Sequence, residues 1–275
     1  MDTMQLNIES GLQLITRLRK TPSVSMLDDT VFFNGLRNTN TVEITGIESS
    51  GKSLLLTKIL AKCILPEWHE RVHIKGLAAS AVLINTDCHF QISKMLKIMS
   101  AIVIDAYESN HIKLVNKEIV NKIINDVLDN LIIINCYNND QYLLTLHTLE
   151  NVLFRYEKIA ILAIDSISAY YWENRENEGI WSIDLYVKSL IKIIHSATSQ
   201  FNVLAIYTKP SNSLDSTKLM KSATSSLTED LDYIIHLCRK ANSEKHLCFI
   251  QSREGTRIIN YMINAGVIKW ISEGD

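Results

Sequence analysis

The sequence predicts an α/β fold, with a mainly parallel central sheet flanked by helices and antiparallel strands at the C-terminal end. Two observations carry the prediction. Residues 41–56 read as an alternating strand (Thr41-Val42-Glu43-Ile44-Thr45), a tight loop (Gly46-Ile47-Glu48-Ser49-Ser50-Gly51) and an apolar helix start (Lys52-Ser53-Leu54-Leu55-Leu56). Beyond that unit, apolar strands alternate with helical stretches to about residue 208, after which the pattern changes to short strands. A strand that returns through a helix to a parallel neighbour makes a right-handed crossover, and repeated crossovers build a parallel sheet.

The elements follow in order. A short amphipathic helix over residues 11–20 carries Leu12, Ile15 and Leu18 on one side. The helix that opens at Gly51-Lys52 runs to about Cys63 and stops before Pro66, because proline pushes the residue ahead of it out of the helical region. A strand near 81–85 precedes a helix over 91–107, and a helix around 115–129 leads into a strand over 131–135. A helix over 140–155 is followed by residues 159–164, a continuous apolar run ending in Asp165. Such a run is expected of a parallel strand covered on both faces. A helix near 183–199 feeds a strand over 203–208. Residues 233–238, 247–251, 257–264 and 266–271 read as short strands, partly antiparallel.

With 275 residues, three prolines and no Gly/Ser linker, the chain is expected to be a single domain. It divides into a helical or linker segment (1–40), a nucleotide core (41–210) and a strand-rich extension (211–275). Hydrophobic residues make up 47% and charged residues 21%, the balance of an ordinary globular protein. The net charge of −2 gives no bulk attraction for nucleic acid or an anionic membrane, so any DNA contact must be local. The five cysteines are scattered without a C-x-x-C pair, the pattern of reduced, mostly buried thiols in an intracellular compartment. The first residues lack a basic region followed by an apolar core, which argues against a signal peptide. No run of 18 uninterrupted apolar residues occurs, which argues against a membrane span. No compact Lys/Arg cluster marks a nuclear import signal.

Gly46 through Ser53 match G-x-x-x-x-G-K-[ST], the phosphate-binding loop of nucleotide triphosphatases. The chemistry requires that spacing. Two glycines let the chain fold tightly enough for successive N–H groups to point at phosphate oxygens. The helix start adds its positive dipole end, Lys52 reaches the β- and γ-phosphates, and the Ser53 hydroxyl is placed to ligate magnesium. The expected cofactors are ATP and Mg2+, held by Gly46, Ile47, Glu48, Ser49, Ser50, Gly51, Lys52, Ser53 and Leu54. A second carboxylate for the magnesium shell is expected at the end of a neighbouring apolar strand, where Asp165 stands. A strand-terminal aspartate also serves simply to cap a turn. Asp87, closing the strand after the loop helix, is the candidate for orienting an attacking water, although its side chain is one methylene shorter than glutamate. Lys209, in the pair Thr208-Lys209 that ends the next strand, is the candidate phosphate sensor.

The loop string Gly46-Ile47-Glu48-Ser49-Ser50-Gly51-Lys52-Ser53 resembles that of the RecA recombinases, which often carry G-x-E-S-S-G-K-[ST]. Three further strings occur in order: Ala61-Lys62-Cys63-Ile64-Leu65-Pro66, then Thr86-Asp87-Cys88-His89-Phe90, then Leu162-Ala163-Ile164-Asp165-Ser166-Ile167-Ser168-Ala169-Tyr170-Tyr171-Trp172. Together with Glu9-Ser10-Gly11 and Leu14-Ile15-Thr16-Arg17-Leu18, they resemble the eukaryotic RecA-like recombinase paralogs over residues 8–210. The resemblance implies a RecA-like ATPase core without the small N-terminal helical domain of the main recombinase. It also implies a nuclear role in homologous-recombination repair of DNA double-strand breaks and at stressed replication forks. Members act in a complex of several paralogs, bound directly to the D-type paralog, and assist the main recombinase filament on single-stranded or branched DNA. Two departures stand out: the water-orienting glutamate is matched by Asp87, and the sensor glutamine by Lys209. Both point to a nucleotide-binding subunit with weak or absent ATP hydrolysis.

In RecA-like proteins two loops contact DNA, and the matching stretches here are 173–181 and 210–229. The first sets Glu173, Glu176 and Glu178 against Arg175, a poor composition for phosphate contact; the second offers Lys218 and Lys221. Between Lys209 and Arg257 eight basic residues face six acidic ones, so DNA affinity is expected to belong to the assembled complex. His89, beside Asp87 and Cys88, reads as a packing or hydrogen-bonded histidine more readily than as a metal ligand. Tyr170, Tyr171 and Trp172 follow a buried strand and are expected to fill core or interface rather than stack on bases. The competing class is an autonomous P-loop enzyme, either a DNA-stimulated ATPase or a small-molecule kinase. A kinase needs an Arg-rich lid, and Arg239, Arg253 and Arg257 sit in the strand-rich tail instead.

Overall fold

The computed structural model describes residues 10, 11, 14, 21–111, 116–178, 182–211, 230–240 and 243–271. The predicted helix over 11–20 lies outside them, apart from Gly11 and Leu14. The first strand, β1 (Thr41–Gly46), is buried along its whole length and delivers the chain to the glycine loop that ends at Ser53. Helix α1 (Lys52–Ile64) begins after Gly51 and ends as Leu65 turns extended ahead of Pro66. A small hairpin of β2 (Trp68–His69) and β3 (Val72–His73) follows. Two-residue strands show no periodicity, which is why the sequence does not announce them.

Strand β4 (Ser80–Asn85), helix α2 (Ile92–Ser109), helix α3 (Lys117–Asn125), β5 (Leu131–Asn135) and β6 (Ile159–Asp165) fall where they were expected, with shifted ends. The Asn116 side chain caps α3 by accepting from the Glu118 N–H, which fixes its start. The single helix predicted over 140–155 is instead two, α4 (Asn139–His147) and α5 (Leu149–Arg155). Thr148 interrupts them at φ −100°, ψ 7°, and its hydroxyl bonds back to the Leu144 carbonyl. β-Branched residues with such back-bonding weaken a helix interior.

Residues 173–178, expected to open a DNA-contacting loop, are helical in α6 (Tyr171–Glu178). Glu173 lies in its first turn, where a negative charge complements the helix dipole. Tyr171 anchors the helix start by packing against Tyr186, with ring centroids 5.7 Å apart. Of the second expected loop, residues 212–229 lie outside the described residues, with Lys218 and Lys221 among them. Helix α7 (Ile183–Phe201) leads to β7 (Leu204–Pro210), and the chain closes with β8 (Tyr233–Cys238), β9 (His246–Ser252), β10 (Gly255–Asn264) and β11 (Val267–Ile271).

Nine of these strands form one sheet in the order β11-β10-β9-β8-β1-β7-β6-β4-β5. From β8 to β5 every pairing is parallel, and from β8 to β11 every pairing is antiparallel. The fold is therefore mixed α/β, mainly parallel, with an antiparallel C-terminal flank. Strand alternation splits the core in two. Ile161 and Ala163 of β6, with Leu204 and Ile206 of β7, join Val42 and Ile44 in the layer that also holds α1 and α2. Leu162 and Ile164, with Ala205 and Tyr207, join Leu190 and Ile194 of α7 on the other face. Apolar residues of both parities are needed, hence the unbroken run ending at Asp165.

The segment before β1 packs on the C-terminal flank. Asp28 is buried, accepts from the Trp270 indole N–H at 3.2 Å and lies 3.7 and 3.6 Å from the ammonium groups of Lys58 and Lys62. The Tyr233 hydroxyl donates to the Gly35 carbonyl at 2.6 Å.

Candidate functional site

The parallel strands deliver their carboxyl ends to one edge, where open α/β sheets bind ligands. There the chain leaves β1 at Gly46 (φ +152°), turns through Ser49 (φ +57°) and enters α1 from Gly51 (φ +101°). A Cβ at position 46 would lie 2.5 Å from the Leu237 carbonyl oxygen and 2.7 Å from Ser50 Oγ, so only glycine fits. The loop is tied down from the C-terminal flank. Tyr261 Oη donates to the Ser50 carbonyl at 2.8 Å, and Arg239 Nη1 donates to the Ser49 carbonyl at 3.3 Å.

Lys52 folds over the loop, its Nζ donating to the carbonyls of Gly46 at 3.0 Å and Ile47 at 2.9 Å. Burial lowers its pKa, while the negative charges of Asp165, Glu48 and Asp87 act in the opposite direction. A partly desolvated ammonium is a favourable partner for an incoming anion. Ser50 Oγ is buried and has no hydrogen-bond partner in the structure, an orphaned polar atom inside the loop.

Asp165 ends β6 and Thr208 stands near the end of the neighbouring β7, both on the α1 side, and the Thr208 hydroxyl donates to the Asp165 carboxylate. The Asp165 carbonyl accepts from the N–H groups of Thr86 at 2.9 Å and Asp87 at 3.3 Å, joining the end of β4 to that of β6. Burial, then repulsion from Asp165, raises the Asp87 carboxyl pKa. His89 Nδ1 is hydrogen-bonded to the Asp87 carbonyl, in keeping with its reading as a hydrogen-bonded histidine.

A cleft of about 440 Å³ opens above the loop. Ser49, Gly51, Lys52, Ser53, Leu54 and Asp165 line it together, so the expected magnesium-directed hydroxyl and carboxylate face one space with the loop lysine. The residues fit a magnesium-bound nucleotide: a tight loop that only glycine allows at position 46, a partly buried cation, and two hard oxygen donors, Ser53 and Asp165, facing one cleft. Gly46 and Ser50 shape the cradle from beneath, while Ile47 is half-buried and Glu48 exposed at its rim.

Two expected residues stand apart. Asp87 is not among the residues lining the cleft, although its charge is felt by Lys52 and Asp165. Lys209 is not brought to the loop. Alternation along β7 turns it to the face opposite Thr208, where its ammonium lies 2.7 Å from the Asp184 carboxylate. Thr208 holds the position that touches Asp165. Sequence reasoning also missed Arg239, Tyr261 and the turn at Ala265-Gly266, which walls the cleft opposite α2. The two strands flanking that turn were legible, but the folding of the tail back over the loop was not.

A glycine loop at the end of β1, with an acid on β6 and a hydroxyl on β7, set in a mainly parallel sheet, belongs to a RecA-like fold. No family model matches the sequence. The chain is 27% identical to the DNA repair protein XRCC2 of Mus musculus over 239 residues, which cover 84% of this chain and 79% of that protein. It is 26% identical to the DNA repair protein XRCC2 homolog of Arabidopsis thaliana over 166 residues, 53% of this chain and 45% of that protein. The chain is XRCC2-like, as the strings around Gly46, Asp87 and Asp165 implied.

Proposed function

We propose that the chain is an ATP-binding RecA-like subunit that works in homologous-recombination repair of DNA double-strand breaks and supports stalled replication forks in the nucleus. One observation carries the reading: the loop from Gly46 to Ser53, with Lys52 folded into it, shares a cleft with Asp165 on a chain similar to proteins named for DNA repair. The loop amides and Lys52 would hold the phosphates. Ser53 and Asp165 would hold Mg2+, with Thr208 fixing the Asp165 rotamer. The bound metal supplies charge neutralisation between phosphate oxygens.

The arrangement favours binding over turnover. Asp87 is one methylene shorter than the water-orienting glutamate it replaces, and Lys209 is engaged by Asp184 at 2.7 Å, which supports weak turnover. DNA contact belongs to the assembly, in which the chain joins the D-type paralog and, through the paralog complex, the main recombinase filament on single-stranded or branched DNA. The single domain inferred from the sequence belongs to the same proposal.

Affinity purification of the full chain from its own cells, followed by identification of stable partners, tests the proposal. Recovery with another RecA-like P-loop protein, and ATP turnover well below about 1 s⁻¹, is expected. Recovery as an isolated chain with DNA-stimulated turnover above that rate would replace the proposal with the autonomous-enzyme reading.

A further inference from the structure

The five free cysteines differ in what surrounds them. Cys63, Cys136 and Cys248 are fully enclosed by the core. Cys238 and Cys248 occupy the neighbouring strands β8 and β9, but Leu237 stands opposite Cys248 and Cys238 opposite Leu247, so the two thiols leave opposite faces of the sheet. They are not placed to be joined.

Cys88 and Cys136 are placed differently. They follow β4 and β5, parallel neighbours whose last paired residues are Asn85 and Asn135. Cys136 extends that ladder, its N–H donating to the Asn85 carbonyl at 3.0 Å. The chain then turns at Cys88 (φ +53°), and the Cys88 thiol reaches the Cys136 carbonyl at 4.0 Å. Tyr170 Oη lies 3.0 Å from the Thr86 carbonyl and 2.5 Å from the Cys136 carbonyl, so one hydroxyl holds both strand ends together. Cys88 is exposed and Cys136 is buried. The Cys136 thiol is hydrogen-bonded to the Thr145 hydroxyl at 3.5 Å, while the Cys88 thiol lies against the Cys136 backbone, so a turn of the Cys136 side chain away from Thr145 is what would bring sulfur to sulfur. An exposed thiol backed by a buried one divides the labour of disulfide exchange: the first meets the reagent and the second displaces it.

We propose that Cys88 and Cys136 form a reversible dithiol–disulfide pair at the edge of the cleft, with Cys88 the attacking thiol and Cys136 the resolving one. The Cys88 thiolate attacks one sulfur of a small-molecule disulfide. A mixed disulfide forms, the reagent's S–S bond breaks, and its other half leaves as a thiol after taking up a proton. Cys136 then attacks the Cys88 sulfur, the S–S bond to the second half breaks, and the proton of Cys136 passes to that departing thiolate, which leaves as a thiol. The two protein thiols are oxidised by two electrons and the reagent is reduced to two thiols. The link joins the end of β4 to the end of β5 beside Asp87 and the cleft-lining His89, so oxidation fixes the turn bordering the site. The pairing rests on the fold alone, whatever the cleft binds.

Equilibration of the full chain with mixtures of oxidised and reduced glutathione, acid quenching, alkylation and peptide mapping tests it. The expected product is a peptide pair joined between Cys88 and Cys136, with Cys63 and Cys248 alkylated only after denaturation. Cys136→Ser or Cys136→Ala should stop the reaction at a glutathione adduct on Cys88, and Cys88→Ser should abolish both products. Wild-type chain carrying a stable adduct on Cys88 without a link, linked to another cysteine, or left unmodified at both positions overturns the proposal.

Discussion

At the scale of single residues, the site is built from conflicts that the fold resolves locally. Gly46 sits where a side chain has no room, so Gly46→Ala should cost about 1–3 kcal/mol of stability and disorder the loop, read by thermal melting. Asp28 is the buried carboxylate between Lys58 and Lys62. Breaking a buried pair strands the remaining charge, so Asp28→Ala should lower stability by about 3 kcal/mol in urea titrations. His236, on β8 beside Thr45, is buried with Nε2 unpartnered, and burial together with the nearby Lys52 charge pulls its pKa down to about 4. The folded state then binds fewer protons than the unfolded chain between pH 6.5 and 4, so stability must fall as pH drops through that window. At pH 5 the loss is about 2 kcal/mol relative to pH 7. Burial raises the Glu43 pKa and acts in the opposite sense, so the readout is the difference between wild type and His236→Leu, whose profile should be flatter by that amount. Equal profiles for the two chains would show that His236 is not held neutral.

At the scale of elements, the sequence was most legible where one physical rule dominated. The apolar run before Asp165 could only be a doubly covered strand, and the glycines at 46 and 51 could only be a loop. It was less legible where rules competed. Thr148 splits a helix that periodicity joined, and α6 forms from a polar stretch whose only apolar anchor is the Tyr171 end. The β2–β3 hairpin was too short to show a pattern. The side on which a residue stands was the subtlest failure: Thr208 and Lys209 are neighbours, yet only Thr208 faces Asp165. That distinction has a test at the same scale. Lys209→Ala should leave nucleotide affinity within about twofold, whereas Thr208→Val, which frees the Asp165 carboxylate, should weaken the magnesium-dependent part of binding by about tenfold. The reverse order of effects would return Lys209 to the site.

At the scale of the whole molecule, the C-terminal flank explains how the loop from Gly46 to Ser53 is held. The antiparallel strands add Tyr261 and Arg239 to the loop backbone and the Ala265-Gly266 turn to the cleft wall, so the tail completes the site rather than trailing from it. That long-range closure was invisible in the sequence because no local pattern encodes which loop a hairpin will cover. The central claim remains that the cradle from Gly46 to Ser53 is an ATP site. Equilibrium binding of labelled ATP with Mg2+ to the full chain, set beside Lys52→Ala, tests it most directly. The account predicts saturable one-to-one binding that weakens at least tenfold in the variant, a loss of about 1.4 kcal/mol or more. Absence of binding by the wild-type chain, or equal binding by both, would contradict it.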